Sequence, residues 1–282
     1  MKAAFAKDES FLADVRQVLA ASGAAVWWLG QSGFLVTQNG RALIFDPYLS
    51  DSLTRKYAAS AKPHVRMTDL VVDPAALGKL GVIDAITSSH QHTDHFDAET
   101  LRHLLSANPQ ARLVLPGAIR DFALERLGQE MNARLVEMDD GQSAQVGEIK
   151  FHGIAAAHNT VEHDAAGRCR FLGFVVEWAG LTFYHSGDTL RHDALLPALQ
   201  RFKIDVAFLP INGDRPERGV AGNLNGIEAA RLAHAAGVRR VIPCHFDMFE
   251  FNTASPDEFI AECRNLGQPY QLLRPGQGWH FE

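Results

Sequence analysis

The chain has 282 residues, of which 46% are hydrophobic and 21% are charged, a composition typical of globular proteins and not of disordered or fibrous ones. Its formal net charge is −6 at pH 7, which gives no basic surface for nucleic acid or anionic membranes. No apolar stretch approaches the roughly 20 residues of a membrane-spanning helix, and Lys7, Asp8 and Glu9 stand where a signal peptide needs an apolar run. Three widely separated cysteines favour a reducing compartment. We therefore expect a cytoplasmic protein with no membrane or nucleic-acid partner.

Short β-like runs and helical periodicities alternate along the chain in two similar halves. In chain order, the first half comprises a helix at 9–21, strands at 24–29, 34–37 and 42–45, an aperiodic loop at 48–68, a strand at 82–87, a helix at 97–106, a strand at 113–115 and a helix at 117–127. The second half comprises strands within 134–157 and at 171–178 and 181–185, a helix at 190–200, a strand at 206–209, a helix at 225–236, a strand at 241–243, a helix at 256–265 and a short strand near Trp279. Two sheets packed face to face, with helices outside, would bury the apolar faces of these elements.

No linker, charge block or internal repeat marks a boundary within the sequence. Although about 150 residues per domain is a common size, α/β folds often extend to this length as one unit. We therefore predict a single α/β domain over residues 1–282.

The strongest chemical signal is the motif HQHTDH at residues 90–95, which directly follows an apolar strand. Alternate residues of an extended segment point the same way, so His90 and His92 can reach one metal ion together. Asp94 and His95 come where the chain turns, within reach of a second ion. Imidazole and carboxylate are ligands that Zn, Mn and Fe accept in hydrolytic sites. Because only 13 of 282 residues are histidine, three within six positions are improbable by chance.

This motif resembles the H-x-H-x-D-H loop of the metallo-β-lactamase superfamily, and the resemblance covers nearly the whole chain. The superfamily has a lone histidine after a strand, which His158 matches, and a G-D-T turn, which Gly187-Asp188-Thr189 matches. A histidine after a late strand corresponds to His245, and an aspartate after an early strand corresponds to Asp46. The resemblance implies a four-layer αββα metallo-β-lactamase sandwich. Shorter matches, such as WLGQSGF at 28–34 and LPING at 209–213, are similar to the branch that contains L-ascorbate-6-phosphate lactonase.

The resemblance also implies a set of seven ligands for two divalent ions, whose identity as Zn, Mn or Fe the sequence does not reveal. It implies one further residue that orients a ligand histidine. The first ion would be held by His90, His92 and His158, the second by Asp94, His95 and His245, with Asp188 between the two ions and Asp46 in the orienting role.

Two such ions would lower the pKa of a bridging water enough to supply hydroxide near neutral pH. The hydroxide would attack a carbonyl carbon or a phosphorus atom, while the ions stabilise the charge that develops. Asp94 and Asp188 are the candidate catalytic residues, and Asp94 is also the candidate proton shuttle to the leaving oxygen.

Candidate substrate contacts lie in two loops and at one strand end. If loops 159–170 and 212–223 border the metals, their polar side chains could bind the phosphate or carboxylate of a small anionic substrate. The alternative is that the loop arginines are simply solvated. The candidates are Tyr48, His163, Arg168, Asn212, Arg215 and Arg218.

The other histidines have no chemical partners in the sequence. His152 is expected within a strand, and His185, directly before Ser186, is expected to be packed or to support a ligand. We do not expect metal ligation from His64, His103, His192, His234 or His280.

The predicted function is hydrolysis of a lactone or related ester of an anionic small metabolite. A metal-dependent phosphodiesterase is the alternative, since the same metal pair serves phosphorus centres. A non-catalytic relative that binds a metabolite or metal is a third possibility, but every expected ligand is present. Association into a homo-oligomer stays open.

Overall fold

Runs rich in valine, leucine and phenylalanine form the strands of the computed structural model, which describes residues 1–281. Glu282, the last residue of the predicted domain, lies outside the described residues, and the single-domain organisation stays a prediction. The strands are β1 (Ala25–Gly30), β2 (Gly33–Gln38), β3 (Arg41–Phe45), β4 (Ile83–Thr87), β5 (Arg112–Pro116), β6 (Leu135–Met138), β7 (Ser143–Val146), β8 (Ile149–Ala155), β9 (Leu172–Trp178), β10 (Leu181–His185), β11 (Val206–Pro210), β12 (Arg240–Cys244) and β13 (Gly278–His280).

These strands pair into two sheets, each with antiparallel hairpins on one side and parallel strands on the other. The seven-stranded sheet has the order β13-β1-β2-β3-β4-β5-β6, and the six-stranded sheet has the order β12-β11-β10-β9-β8-β7. In the first sheet, β3 to β6 are parallel, and in the second, β10 to β12 are parallel. Parallel strands end at the same edge of their sheet, where α/β proteins place their functional loops.

Helices cover the outer face of each sheet, except the short helix Ser52–Lys56, whose Leu53 packs with Tyr48, Met248 and Phe249. The helices are α1 (Asp8–Ala20), α2 (Ser52–Lys56), α3 (Pro74–Gly78), α4 (Ala98–Ala107), α5 (Arg120–Leu127), α6 (Leu195–Leu199), α7 (Gly226–Ala235) and α8 (Asp257–Leu266), with 3-10 turns at Gly117–Ile119, Gln129–Arg134 and Pro216–Arg218.

The side chains of β1 show how the layers are built. Trp28 joins the core between the two sheets, whereas its neighbour Trp27 joins a second core with α1, α3, α4 and α5. Both faces of the strand are therefore buried, which explains its uninterrupted apolar sequence. On the other side of the molecule, Ala229 and Phe259 of α7 and α8 pack against the six-stranded sheet. This arrangement confirms the predicted four-layer αββα sandwich.

The strands predicted within 134–157 are present as β6, β7 and β8. Two other element predictions were wrong. The predicted loop 48–68 contains α2. The predicted helix 190–200 is reduced to α6, because the backbone N–H of Leu190 donates to the carbonyl of Ala157 and draws the first half of the segment against the end of β8.

Helix α3 was not predicted, although its start carries a local signal. Asp73 accepts hydrogen bonds from the N–H groups of Ala75 and Ala76, and Pro74 occupies the first helical position. Both features are typical of helix N-termini.

Among residues 1–281, no helix combines the length and the apolar composition that crossing a lipid bilayer would require.

The aromatic stack between the sheets provides a stability prediction. The Phe208 ring is fully buried and stacks on Phe34 at a centroid distance of 4.1 Å. We expect Phe208→Ala to lower the free energy of unfolding by about 3–5 kcal/mol, because it leaves a cavity between the sheets. Urea denaturation monitored by circular dichroism would measure this change. Phe5→Ala is the control, since Phe5 is 51% exposed, and it should change stability by less than about 1 kcal/mol. Equal effects of the two substitutions would contradict this account of the core.

Candidate metal centre

The candidate ligands lie in loops that follow four strands. Residues 90–95 follow β4, His158 follows β8, Asp188 follows β10 and His245 follows β12. Although they are far apart in sequence, the two sheets bring these loops to one edge of the sandwich. The structure gathers all seven predicted ligands into one cluster.

The first part of the cluster consists of His90, His92 and His158, whose ligand atoms all lie within 4.8 Å of one another. Nε2 of His90 is 3.0 Å from Nδ1 of His92. Nδ1 of His158 is 2.9 Å from the carbonyl oxygen of Gly222, to which it donates, and this leaves Nε2 of His158 as the unprotonated nitrogen. These three side chains can therefore present nitrogen lone pairs to one ion.

The second part consists of Asp94, His95 and His245, whose ligand atoms also lie within 4.8 Å of one another. Asp188 lies against both parts. Its Oδ1 is 3.2 Å from Nε2 of His95, and its Oδ2 is 3.3 Å from Nε2 of His245 and 3.7 Å from Nε2 of His158. Asp188 is therefore the one of the seven residues whose two oxygens can reach both groups.

Two facing atoms show that the cluster suits a cation. Nε2 of His95 and Oδ1 of Asp188 are buried and lie 3.2 Å apart, but neither atom forms a hydrogen bond of good geometry within residues 1–281. Unsatisfied polar atoms are costly in a protein interior, and a metal ion coordinated by both would satisfy them. The donors around them are imidazole nitrogens and carboxylate oxygens, which suit Zn, Mn and Fe. The residues present therefore fit a divalent metal centre.

Asp46 lies behind the cluster, at the end of β3, and contacts His95. Its Oδ2 is 2.8 Å from Nδ1 of His95, and its Oδ1 accepts a 2.7 Å hydrogen bond from Thr87. The backbone N–H and hydroxyl of Ser89 also donate to Asp46. By accepting from Nδ1, Asp46 directs Nε2 of His95 towards Asp188, which agrees with the orienting role predicted for it.

Opposite charges at short distance dominate the electrostatics of the centre. Burial disfavours the charged forms of Asp188 and Asp94, but nearby His95 and His245 outweigh burial and hold the pKa of each carboxyl below its usual range. Burial likewise disfavours the imidazolium of His245, yet Asp188 and Asp94 raise its pKa to about 9. The pKa of His95 is raised well above its usual value in the same way. For His90, burial prevails and lowers the pKa.

Gln31 is a member of the site that sequence reasoning missed. Its amide nitrogen donates a 2.8 Å hydrogen bond to Asp94 and lies 3.1 Å from Nε2 of His245. It is fully buried, its Oε1 has no hydrogen-bond partner in the described chain, and its φ of 49° lies in the left-handed region. The only signal was its place in the Gly30-Gln31-Ser32-Gly33 turn between β1 and β2.

A cavity of about 530 Å³ opens above the cluster. His92, Asp94, His158, Asp188 and His245 line it, so the candidate ligands are accessible from it. Its other walls come from the segment around α2, from α5, and from the loops at 219–221 and 249–252.

The six predicted substrate contacts do not line this cavity, because their side chains have other partners or face solvent. Tyr48 is buried, and its hydroxyl accepts from the N–H of Leu53. The side chain of Arg168 pairs with Asp164 and Glu137. Asn212 donates to Asn252, and Arg218 donates to Asn212, Asn252 and Thr253. His163 and Arg215 are exposed. Direct substrate contact by these residues stays a prediction that the geometry does not favour.

Three other histidines are placed clearly by the structure. His185 donates from Nε2 to the carbonyl of Ser32 and stacks on Phe45, so it is packed as predicted. His152 lies in β8, as predicted, and contacts Ser143 and Glu177 away from the cluster. His64, which has no partner in the sequence pattern, lines the cavity.

A four-layer αββα sandwich that gathers histidines and aspartates at its strand ends is the architecture of a metallo-hydrolase. The sequence model of the beta-lactamase superfamily domain matches residues 41–246. The chain therefore belongs to this superfamily and is a metal-dependent hydrolase with the metallo-β-lactamase fold.

Relatives agree with this assignment. The chain is 29% identical over 264 residues to a UPF0173 metal-dependent hydrolase of Rubrobacter xylanophilus, covering 90% of this chain and 96% of the relative. It is 25% identical to "Probable L-ascorbate-6-phosphate lactonase UlaG" of Escherichia coli O127:H6, covering 83% of this chain and 72% of the relative. The solved structure of isothiocyanate hydrolase from Delia radicum gut bacteria superposes with a TM-score of 0.70 at 18% identity, covering 91% of this chain and 99% of that one. This last similarity shows the fold alone.

The contact between Asp46 and His95 provides a test of the orienting role. Asp46→Asn keeps the side-chain shape, and asparagine tolerates the φ of 38° at this position. We expect metal affinity to fall about 10- to 100-fold, because the amide is a weaker acceptor for Nδ1 of His95. Competition with a chromophoric chelator measures the affinity. Asp84→Asn, which breaks a pair with Arg41 elsewhere on the surface, is the control. Equal affinity in the two variants would show that Asp46 does not support the metal centre.

The raised pKa of His245 predicts proton release on metal binding. At about pH 7.5 the metal-free imidazole is largely protonated because its pKa is about 9, and it must lose that proton to bind an ion. We expect zinc binding to release about one proton from His245, with a further contribution from His95. The contribution of His245 should fall to about half at pH 9 and disappear well above that pH, where its imidazole is already neutral.

Calorimetric titrations in buffers of different ionisation enthalpy measure the number of protons released. His245→Gln should reduce that number by about one at the lower pH. A binding heat that does not depend on the buffer would rule out this charge assignment.

Proposed function

We propose that the chain is a dinuclear metal-dependent hydrolase that opens a lactone or related ester of an anionic small metabolite. The observation that carries this proposal is the position of Asp188. Its two oxygens lie 3.2 Å from Nε2 of His95 and 3.7 Å from Nε2 of His158, so one carboxylate lies between two groups of candidate ligands. A single-ion site would not need ligands on both sides of this carboxylate.

The ligand assignment follows from the two groups. His90, His92 and His158 would hold one ion, Asp94, His95 and His245 would hold the other, and Asp188 would contact both. When bound, such ions would supply acidity to a coordinated water near neutral pH and neutralise charge on the attacked group.

Asp94 is suited to move the proton of the attacking water. Its carboxyl is ionised near neutral pH because His95 and His245 outweigh the effect of burial on its pKa. It lines the cavity, and the Gln31 amide holds one of its oxygens in place. We infer that Asp94 accepts a proton there and passes it to the leaving oxygen.

The ester substrate is supported by the 25% identity to the E. coli relative, which is named as a probable L-ascorbate-6-phosphate lactonase. A phosphodiesterase would use the same ligands, so the assay below must separate the two. Three unpaired, buried cysteines agree with a reducing compartment, and a cytoplasmic location is part of the proposal.

Hydrolysis by the metal-stripped protein, then by protein reloaded with Mn or Zn, tests the proposal. We expect two ions per chain by elemental analysis and turnover of a lactone panel that includes L-ascorbate 6-phosphate, well above turnover of bis-p-nitrophenyl phosphate. Chelation should reduce turnover to the rate of buffer alone, because the residues left have no other means of acidifying water.

The other outcomes are equally informative. Turnover of the diester alone would favour the phosphodiesterase, and ligand binding without turnover would indicate a non-catalytic relative. An Asp188→Ala variant that still bound two ions would contradict the proposed ligand set.

A further inference from the structure

The cavity above the metal cluster is lined by cationic and by aromatic side chains, and together they indicate the class of substrate. This inference rests on the proposed function for the position of the scissile bond, but its binding test does not depend on turnover. None of these side chains was predicted from the sequence to bind substrate.

Two cations line the cavity, and each lies over an aromatic ring. Nζ of Lys56 is 5.1 Å from the centroid of the Tyr57 ring, and the guanidinium carbon of Arg126 is 5.3 Å from that of Phe122. Lys56 ends α2 and Arg126 lies in the last turn of α5, and both line the cavity. Within residues 1–281 neither side chain forms an ion pair, whereas the neighbours Arg55 and Arg120 pair with Glu99 and Glu137. Cations without carboxylate partners beside a reaction site can pair with an anionic group of a ligand.

Four aromatic side chains, Tyr57, His64, Phe249 and Phe251, form an aromatic wall of the cavity. The His64 ring stacks on Tyr57 at 4.2 Å and 19°, and its centroid lies 4.4 Å from Phe251 and 5.2 Å from Phe249. All four side chains line the cavity. Burial lowers the pKa of His64, so its imidazole is neutral near pH 7 and adds to the apolar character of the wall. A planar apolar group can stack on such a surface.

The aromatic wall is held in place by polar contacts behind it. The Thr54 hydroxyl donates a 2.8 Å hydrogen bond to the carbonyl of His64, and the N–H of Glu250 donates to the carbonyl of Val65. Arg66 pairs with Asp51 at 2.8 Å. These contacts fix the segment that carries Tyr57 and His64 before a ligand arrives, which reduces the entropy lost on binding.

We propose that the substrate combines a planar, aromatic body with a separate negative group. The body lies against Tyr57, His64, Phe249 and Phe251, and the negative group pairs with Lys56 and Arg126. The scissile ester then faces the histidine and aspartate cluster. A cavity of about 530 Å³ has the volume of ordinary small-molecule sites. A sugar-derived lactone phosphate supplies the charge but no aromatic body, so it would use the cations without filling the aromatic wall.

Binding of two simple probes to the metal-loaded protein tests the proposal. Phenylphosphonate and methylphosphonate carry the same anionic group, and only the first has an aromatic body. By isothermal titration calorimetry we expect phenylphosphonate to bind about tenfold more tightly, because its ring leaves water for the aromatic wall. Equal affinities would overturn the aromatic half of the proposal.

Substitutions test the aromatic half and the cationic half of the proposal separately. Phe251→Ala should remove most of the preference for phenylphosphonate and leave methylphosphonate binding within about twofold. The double substitution Lys56→Gln and Arg126→Gln should weaken both probes about fivefold or more. Unchanged binding in the double variant would overturn the cationic half.

Matched controls lie outside the cavity. Arg120→Gln is on the same helix as Arg126 but faces Glu137, and Phe202→Ala is half-buried beside His152. Neither should change probe binding. Phe251→Leu, with circular dichroism on every variant, keeps the test decisive if the alanine variant fails to fold. If lactone hydrolysis fails while these binding results hold, the proposed reaction is wrong and the ligand class stands.

Discussion

The carboxylate of Asp188 is buried among histidines, and this burial is tolerable only where positive charge surrounds it. Removing a carboxylate from water is expensive unless imidazolium groups or metal ions compensate the charge. Its neighbours His95 and His245 lie 3.2 and 3.3 Å away and follow different strands of different sheets. Charge compensation at Asp188 therefore requires the two sheets to pack with their strand ends together, so the fold and the site depend on the same contact.

Three residues around this contact have backbone conformations in the left-handed region. Asp46, Gln31 and His245 all have positive φ values, of 38°, 49° and 60°. Each follows directly on a strand, where the chain must turn sharply to direct a side chain into the cluster. Such conformations cost of order 1–3 kcal/mol each and persist where the surrounding packing leaves no alternative. The aromatic stack of Phe34, Phe45 and Phe208 between the sheets provides that packing.

Features determined by a short stretch of sequence could be predicted, whereas features that depend on contacts between distant residues could not. The grouping of the seven candidate ligands could be predicted because each follows a recognisable apolar strand, and family motifs marked their order. The walls of the cavity could not, because the position of the segment with α2 depends on contacts such as Arg66 with Asp51, which leave no periodicity in the sequence. His64 appeared isolated for this reason. Arg168 and Arg218 were chosen for their charge, but that charge is used within the protein, on Asp164 and on backbone carbonyls.

The floor and the walls of the cavity differ in how freely their residues can change. The floor of the cavity is built by strand ends, and any substitution there disturbs both the buried charges and the sheet packing. Its walls are built by loops and short helices with their own supporting hydrogen bonds, such as Thr54 to His64, so they can change without disturbing Asp188. Relatives at 25–29% identity can therefore share the metal chemistry while differing in substrate. It follows that the substrate of this chain is to be inferred from Lys56, Arg126 and the aromatic wall, and not from the ligands that define its superfamily.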